Sequence, residues 1–228
     1  LNKATIILNE FKPAQVIIEK AGAKHEIYMN VQDLVQQLIE SMKADDDIEV
    51  IEKPTPVVVS PSLPMNTVKY SKLSDETDIV FLNHPEVNVD IRYHNHSFEQ
   101  VPVPNLVFAL FVRNNRIVNK YVFCYKDRFL RDESLLYIFP YANVFEGNGS
   151  LCYYNNQEVK DLVQLQTYPM TWLSEPFNDH LYHQGSTNKF NKPLRQILEE
   201  TQHTKFDYSK LKETGKTFAG WSTSLIVN

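Results

Sequence analysis

Short apolar runs alternate with turn residues through the middle of this chain. Residues 68–70 (VKY), 78–84 (DIVFLNH), 87–94 (VNVDIRYH), 106–113 (LVFALFVR) and 117–125 (IVNKYVFCY) are rich in β-branched and aromatic side chains and are separated by polar or proline-containing breaks. Runs of this kind predict strands. Asn114-Asn115, between two of them, is a hairpin signal, because asparagine tolerates the positive φ of a tight turn. The short connections predict an antiparallel β-meander, extended by a further strand at residues 135–139 (LLYIF).

The two ends read differently. Residues 4–8 (ATIIL), 15–19 (QVIIE) and 25–29 (HEIYM) are β-branched runs broken by Lys12-Pro13 and Ala21-Gly22. Leu34, Val35, Leu38, Ile39 and Met42 then recur at helical spacing, with Asn30 as the cap and Asp33 in the first turn. This opening predicts a small β-β-α appendage over residues 1–45. An acidic triplet followed by Pro54, Pro56, Pro61 and Pro64 resists hydrogen-bonded structure and marks 46–64 as a linker, leaving 65–228 as the main domain. Residues 157–168 and 191–203 carry spaced apolar positions, with Pro193 near a helix start, where its missing N–H costs nothing. Strands followed by helices predict an α+β fold with the helices packed on one face of the sheet.

Composition narrows the function. The chain's 228 residues can bury a sizeable core, and its net charge of −5 provides no basic field for nucleic acid phosphates or anionic lipid. No apolar run approaches the roughly 20 residues of a membrane span, and the start LNKATIIL lacks the form of a signal peptide, so a cytoplasmic protein is expected. The two cysteines, Cys124 and Cys152, are too few for a disulfide scaffold or a Cys-based zinc site, and no cofactor is expected. His94 and His96 form His-x-His on a predicted strand, with both rings on one face. Zinc would want a third ligand, which His84 or His180 supplies only if the fold brings it close; the pair reads as two solvated imidazoles and no metal is expected.

The candidate chemistry lies in residues 139–152 (FPYANVFEGNGSLC). Gly147 and Gly149 allow positive φ and close approach, Asn143 and Asn148 can bond the backbone locally, and the thiol of Cys152 emerges just past the turn. From composition alone the segment reads first as a tight loop with a half-buried cysteine, and beside that as a seat for a nucleophile. Cys124, inside the apolar run YVFCY, reads as core.

An antiparallel meander, an Asn-Val pair (Asn143-Val144), a Gly-Ser-Leu-Cys element (Gly149 to Cys152) and then helices: this order resembles the ubiquitin-conjugating-enzyme (UBC-like) fold. Tyr141-Ala142 replaces the His-Pro of the usual enzymes, and the Asn-to-Cys spacing is one residue longer. The chain is more similar to the prokaryotic ubiquitin-conjugating-enzyme-like family D (PRTRC system protein B-like). The features that carry this are Leu63-Pro64, the segment from Val101 to Phe108, Pro140 to Val144, the Gly-x-Leu-Cys element, and Ser174-Glu175-Pro176-Phe177 with a histidine downstream. The resemblance covers roughly Leu63 to His183.

The resemblance implies a transferase that carries a ubiquitin-like protein as a Cys152 thioester in a bacterial conjugation pathway, receiving it from a ThiF-like activating enzyme. It implies that Asn143 donates to the oxyanion or ties down the loop, and that His180, or His183 three residues later, deprotonates the acceptor or holds the loop. Two other readings stand beside it: a cysteine hydrolase or deconjugase using Cys152 and His180, and a non-catalytic binding module on the same fold.

Overall fold

The computed structural model describes residues 3–8, 13–45, 59–152 and 158–227, with residues 42–45 described as backbone only. The chain divides into two compact units, Leu1–Val58 and Val59–Asn228. The linker prolines Pro54 and Pro56, and the side chain of Met42, lie outside the described residues.

In the first unit, strands β1 (Lys3–Ile7), β2 (Ala14–Lys20) and β3 (Ala23–Met29) form an antiparallel sheet in chain order, followed by helix α1 (Val31–Asp45). Three strands precede the helix where two are expected, because β2 pairs with β1 along one edge and β3 along the other. Asn30 caps α1: its Oδ1 accepts the Asp33 N–H at 2.7 Å. Leu34 of α1 is buried with Ala14 and Val16, whereas Val35, Leu38 and Ile39, on the same apolar stripe, are exposed.

The second unit is built on a six-stranded antiparallel sheet. Its strands in chain order are β4 (Thr67–Lys72), β5 (Asp78–His84), β6 (Val87–Tyr93), β7 (His96–Val103), β8 (Leu106–Arg113), β9 (Arg116–Cys124), β10 (Leu135–Tyr137) and β11 (Glu213–Thr217). The spatial order is β11-β10-β9-β8-β5-β4, and β6 and β7 leave it as a separate two-stranded ribbon. The expected meander is therefore interrupted: β5 pairs with β8, in register from Asp78↔Val112 to His84↔Leu106. The reason lies in the burial patterns. β8 is buried at every position but its last, as a central strand covered on both faces must be. β6 alternates, with Val89, Ile91 and Tyr93 inward, as suits a ribbon with one wet face. Asn114 and Asn115 both have positive φ, 51° and 58°, and close the β8–β9 hairpin.

Helices α2 (Tyr168–Leu173), α3 (Leu194–Thr201) and α4 (Phe218–Val227) complete the unit. The first two share a core with Val80, Leu82, Phe108, Val122 and the inner face of the ribbon. Trp172 of α2 meets Phe108 and Phe139 edge-on, with ring centroids 5.6 and 5.0 Å away. Helix α4 packs on the opposite face, where Trp221 meets Phe81 and Phe123 at 5.8 and 5.1 Å. The expectation of helices on one face is thus corrected. Strand residues of opposite parity point to opposite faces, and the odd-numbered Ile79, Phe81, Val107 and Ala109 are as apolar as their even-numbered neighbours, so both faces need a cover.

Candidate active site

The residues around Cys152 form a small hairpin. Val144 and Leu151 pair across it, the Phe145 N–H donates to the Ser150 carbonyl at 2.9 Å, and the Cys152 N–H donates to the Asn143 carbonyl at 3.0 Å. The second arm also adds to the edge of β9. Val122 N–H donates to Gly149 (2.8 Å) and Leu151 N–H donates to Lys120 (3.0 Å). The turn between the arms is closed by Gly149 N–H on the Phe145 carbonyl, and Asn148 Oδ1 accepts the Ser150 N–H at 2.9 Å. Gly149 is obligatory here. Its φ is +75°, and a Cβ would stand 2.7 Å from the Val122 carbonyl oxygen and 2.8 Å from the Phe123 ring. Cys152 is thereby carried at the foot of the hairpin, half-buried and free. Among the described residues its sulfur has no hydrogen-bonding side chain.

Asn143 stands opposite Cys152 on the other arm. Its φ of 66° is in the left-handed region, which asparagine tolerates best among residues with a side chain. Its side-chain amide donates to the Pro176 carbonyl at 3.0 Å, tying the hairpin to the segment that precedes both candidate histidines. That bond uses one of two amide hydrogens. Tyr141, two positions earlier, is 1 % exposed and donates its hydroxyl to the Pro102 carbonyl at 2.6 Å. Burial pushes its phenol far up, so it stays protonated and serves the core.

The two histidines occupy different surroundings. His180 is exposed, and its backbone N–H donates to Asn178 Oδ1 at 2.8 Å. The His183 ring reaches Glu146, in the turn of the hairpin, with Nδ1 3.2 Å from Oε1. Neither imidazole hydrogen-bonds the Cys152 side chain. The structure therefore joins Asn143 to Cys152 through the backbone, His183 to the same hairpin through Glu146, and the His180 segment through Pro176. Glu146 and Pro176 carry no signal in the sequence, since both act across more than 30 positions through side chain-to-side chain or side chain-to-backbone bonds.

Asp179 serves neighbours other than His180. One carboxylate oxygen accepts from the Tyr93 hydroxyl and the other lies 3.0 Å from His94 Nε2. Tyr93, and then His94, hold this carboxyl below the usual range. Backbone bonds reinforce the contact: Phe177 N–H donates to Arg92 at 2.7 Å and His94 N–H to Phe177 at 3.2 Å. His94 lies in the turn of the β6–β7 ribbon with φ 50°, so His94 and His96 do not share a strand face as expected. No group of three metal-ligating side chains occurs among the described residues. Cys124 is fully buried in the sheet, and burial raises its thiol pKa well above the ordinary value.

No helix among the described residues is long and apolar enough to cross a membrane. Residues 37–214 match the profile of the family described as Prokaryotic E2 family D, a span of more than half the chain that includes the hairpin and both histidines. No curated protein and no solved structure matches.

Proposed function

This chain belongs to prokaryotic E2 family D, and on that footing we propose that it is a conjugating enzyme that carries a ubiquitin-like protein as a thioester on Cys152 and hands it to an acceptor in a bacterial, cytoplasmic pathway. The observation that carries this reading is the seat of Cys152, half-buried at the foot of a hairpin whose arm is bonded to β9 and whose N–H is fixed on Asn143. A half-buried sulfur whose backbone is bonded into a hairpin on β9 meets one need of acyl transfer, a defined direction of attack.

In charging, the Cys152 thiolate attacks the acyl carbon presented by a ThiF-like activating enzyme. In discharge, an acceptor attacks the thioester and negative charge grows on the carbonyl oxygen. The second amide hydrogen of Asn143 is the donor for that oxygen, a contact worth on the order of 3 kcal/mol. The segment carrying His180 and His183 supplies the base. Residues 65–228 make up the UBC-like domain, residues 46–64 the linker, and residues 1–45 the appendage, which contacts the activating enzyme or the ubiquitin-like protein.

The test is incubation with such an activating enzyme, its ubiquitin-like protein and ATP. A reductant-labile adduct in the wild type, absent from Cys152→Ala, supports the reading. Turnover of a peptide or ester with no adduct would replace it with hydrolysis, and identical behaviour of the two proteins would remove catalysis from Cys152.

A further inference from the structure

Three side chains close a hydrogen-bonded ring at the turn of the Cys152 hairpin. The His183 backbone N–H donates to Thr187 Oγ1 at 3.0 Å, the Thr187 hydroxyl donates to Glu146 Oε1 at 2.5 Å, and His183 Nδ1 lies 3.2 Å from that same oxygen. Thr187 is 1 % exposed, so its single donor and its acceptor are both met inside the protein. Its own N–H bonds the His183 carbonyl at 3.0 Å, which fixes the spacing of the two residues. An ionised carboxylate only accepts, so the ring contact requires the proton on Nδ1 and leaves the lone pair of the neutral imidazole on Nε2. Side-chain exposure fits that arrangement: 25 % for Glu146, which does the holding, and 64 % for His183, whose free edge meets solvent.

His180 has no such partner. Among the described residues its imidazole makes no hydrogen bond, and the adjacent carboxylate of Asp179 is taken by Tyr93 and His94. The hairpin that carries Glu146 is the one that carries Cys152, so His183 is tethered to the same short loop as the sulfur.

We infer that His183 is the general base of transfer and that Glu146 is the positioning residue that holds its ring with Nε2 free, an assignment that rests on the reading of Cys152 as thioester carrier. In that step an acceptor H–X attacks the acyl carbon and the X–C bond forms. The proton passes from X to Nε2, the C–S bond breaks, and sulfur leaves as the Cys152 thiolate. The imidazolium then returns its proton to the thiolate, so thioester and H–X become acyl–X and thiol. The charged group in contact with the ring is Glu146; Lys212 Nζ holds the Gly185 carbonyl two residues on, at 3.2 Å.

The full chain can be tested without its natural partners, using the N-acetylglycine thioester of mercaptoethanesulfonate as acyl donor and free lysine as acceptor. Wild type, His183→Gln, His180→Gln and Glu146→Gln are first acylated on Cys152, and discharge is then followed at one fixed pH. We expect discharge at that pH to fall about 100-fold in His183→Gln and about tenfold in Glu146→Gln, and by less than either in His180→Gln. Imidazole ¹⁵N shifts should mark the Nδ1–H tautomer of His183 in the wild type and a mixture in Glu146→Gln. If Glu146→Gln melts early, Thr187→Val, which removes the hydroxyl that donates to the carboxylate and accepts the His183 N–H, should show the same loss. Acylation followed by an unchanged discharge rate in His183→Gln and Glu146→Gln would overturn the assignment alone. Failure of Cys152 to accept the acyl group would overturn the carrier reading, and the base role with it.

Discussion

The N–H of Cys152 donates to the carbonyl of Asn143 at 3.0 Å, while the Asn143 side chain donates to Pro176 at the same distance. One asparagine therefore fixes the cysteine's arm and anchors the segment that leads to the histidines. Asn143→Ala should suffer twice, losing the amide and placing at φ 66° a residue that tolerates the left-handed region less well than asparagine. Asn143→Gly separates the two effects, because glycine accepts that backbone without strain. We expect the glycine variant to melt closer to wild type than the alanine variant and yet to discharge its thioester about 100-fold more slowly than wild type. A glycine variant that transfers at the wild-type rate would reduce Asn143 to a loop anchor.

Gly149 sets the hairpin against β9. A methyl group there would meet the Val122 carbonyl at 2.7 Å and the Phe123 ring at 2.8 Å, at a φ that already disfavours alanine. Gly149→Ala should destabilise the protein by about 2 kcal/mol or more, read as a lower urea midpoint. Gly147, with nothing within 4 Å of an added Cβ, should accept alanine with little change in that midpoint.

The two cysteines should differ sharply towards alkylation. Cys152 is half-buried, whereas Cys124 is fully buried with its thiol held protonated. Iodoacetamide on the native protein, followed by peptide mapping, should label Cys152 and leave Cys124 untouched until denaturant is added. Prior labelling of Cys124 would contradict the core described above.

Asp179 links the ribbon to the histidine segment in a pH-dependent way. Its carboxyl is held low by the Tyr93 hydroxyl and then by His94, so its contribution is present above the ordinary carboxylate range and is lost as pH falls through the depressed folded-state value. Asp179→Asn should therefore lower the melting temperature near pH 7, and the gap from wild type should close towards pH 2. A constant gap across that range would assign the effect to lost shape rather than lost charge.

Much of the sheet was legible in the sequence because burial writes itself into composition. DIVFLNH and LVFALFVR form strands over the expected residues, Asp78–His84 and Leu106–Arg113, and Asn114-Asn115 makes the expected turn. The departure of β6 and β7 was not legible, since nothing local distinguishes a ribbon from the next strand of a meander. Helix α4 was not legible because FAGWSTSLIV sets Ser222, Thr223 and Ser224 between its apolar residues and shows no helical period. At the candidate site, Cys152, Asn143 and the two histidines are singled out by the motifs in which the chain resembles the family. The bonds that relate them run through Glu146, Thr187 and Pro176, whose roles exist only once distant segments meet.

Replacing Cys152 by serine asks the decisive question in one sample. With the activating enzyme, the ubiquitin-like protein and ATP, the wild-type adduct should be released by reductant. In Cys152→Ser it should persist in reductant and be cleaved by hydroxide, with the acyl group mapped to residue 152 by mass spectrometry, because an oxygen ester has replaced the thioester. An adduct that stays reductant-labile in Cys152→Ser, or that maps to Cys124 or a lysine in both proteins, would contradict transfer through this sulfur.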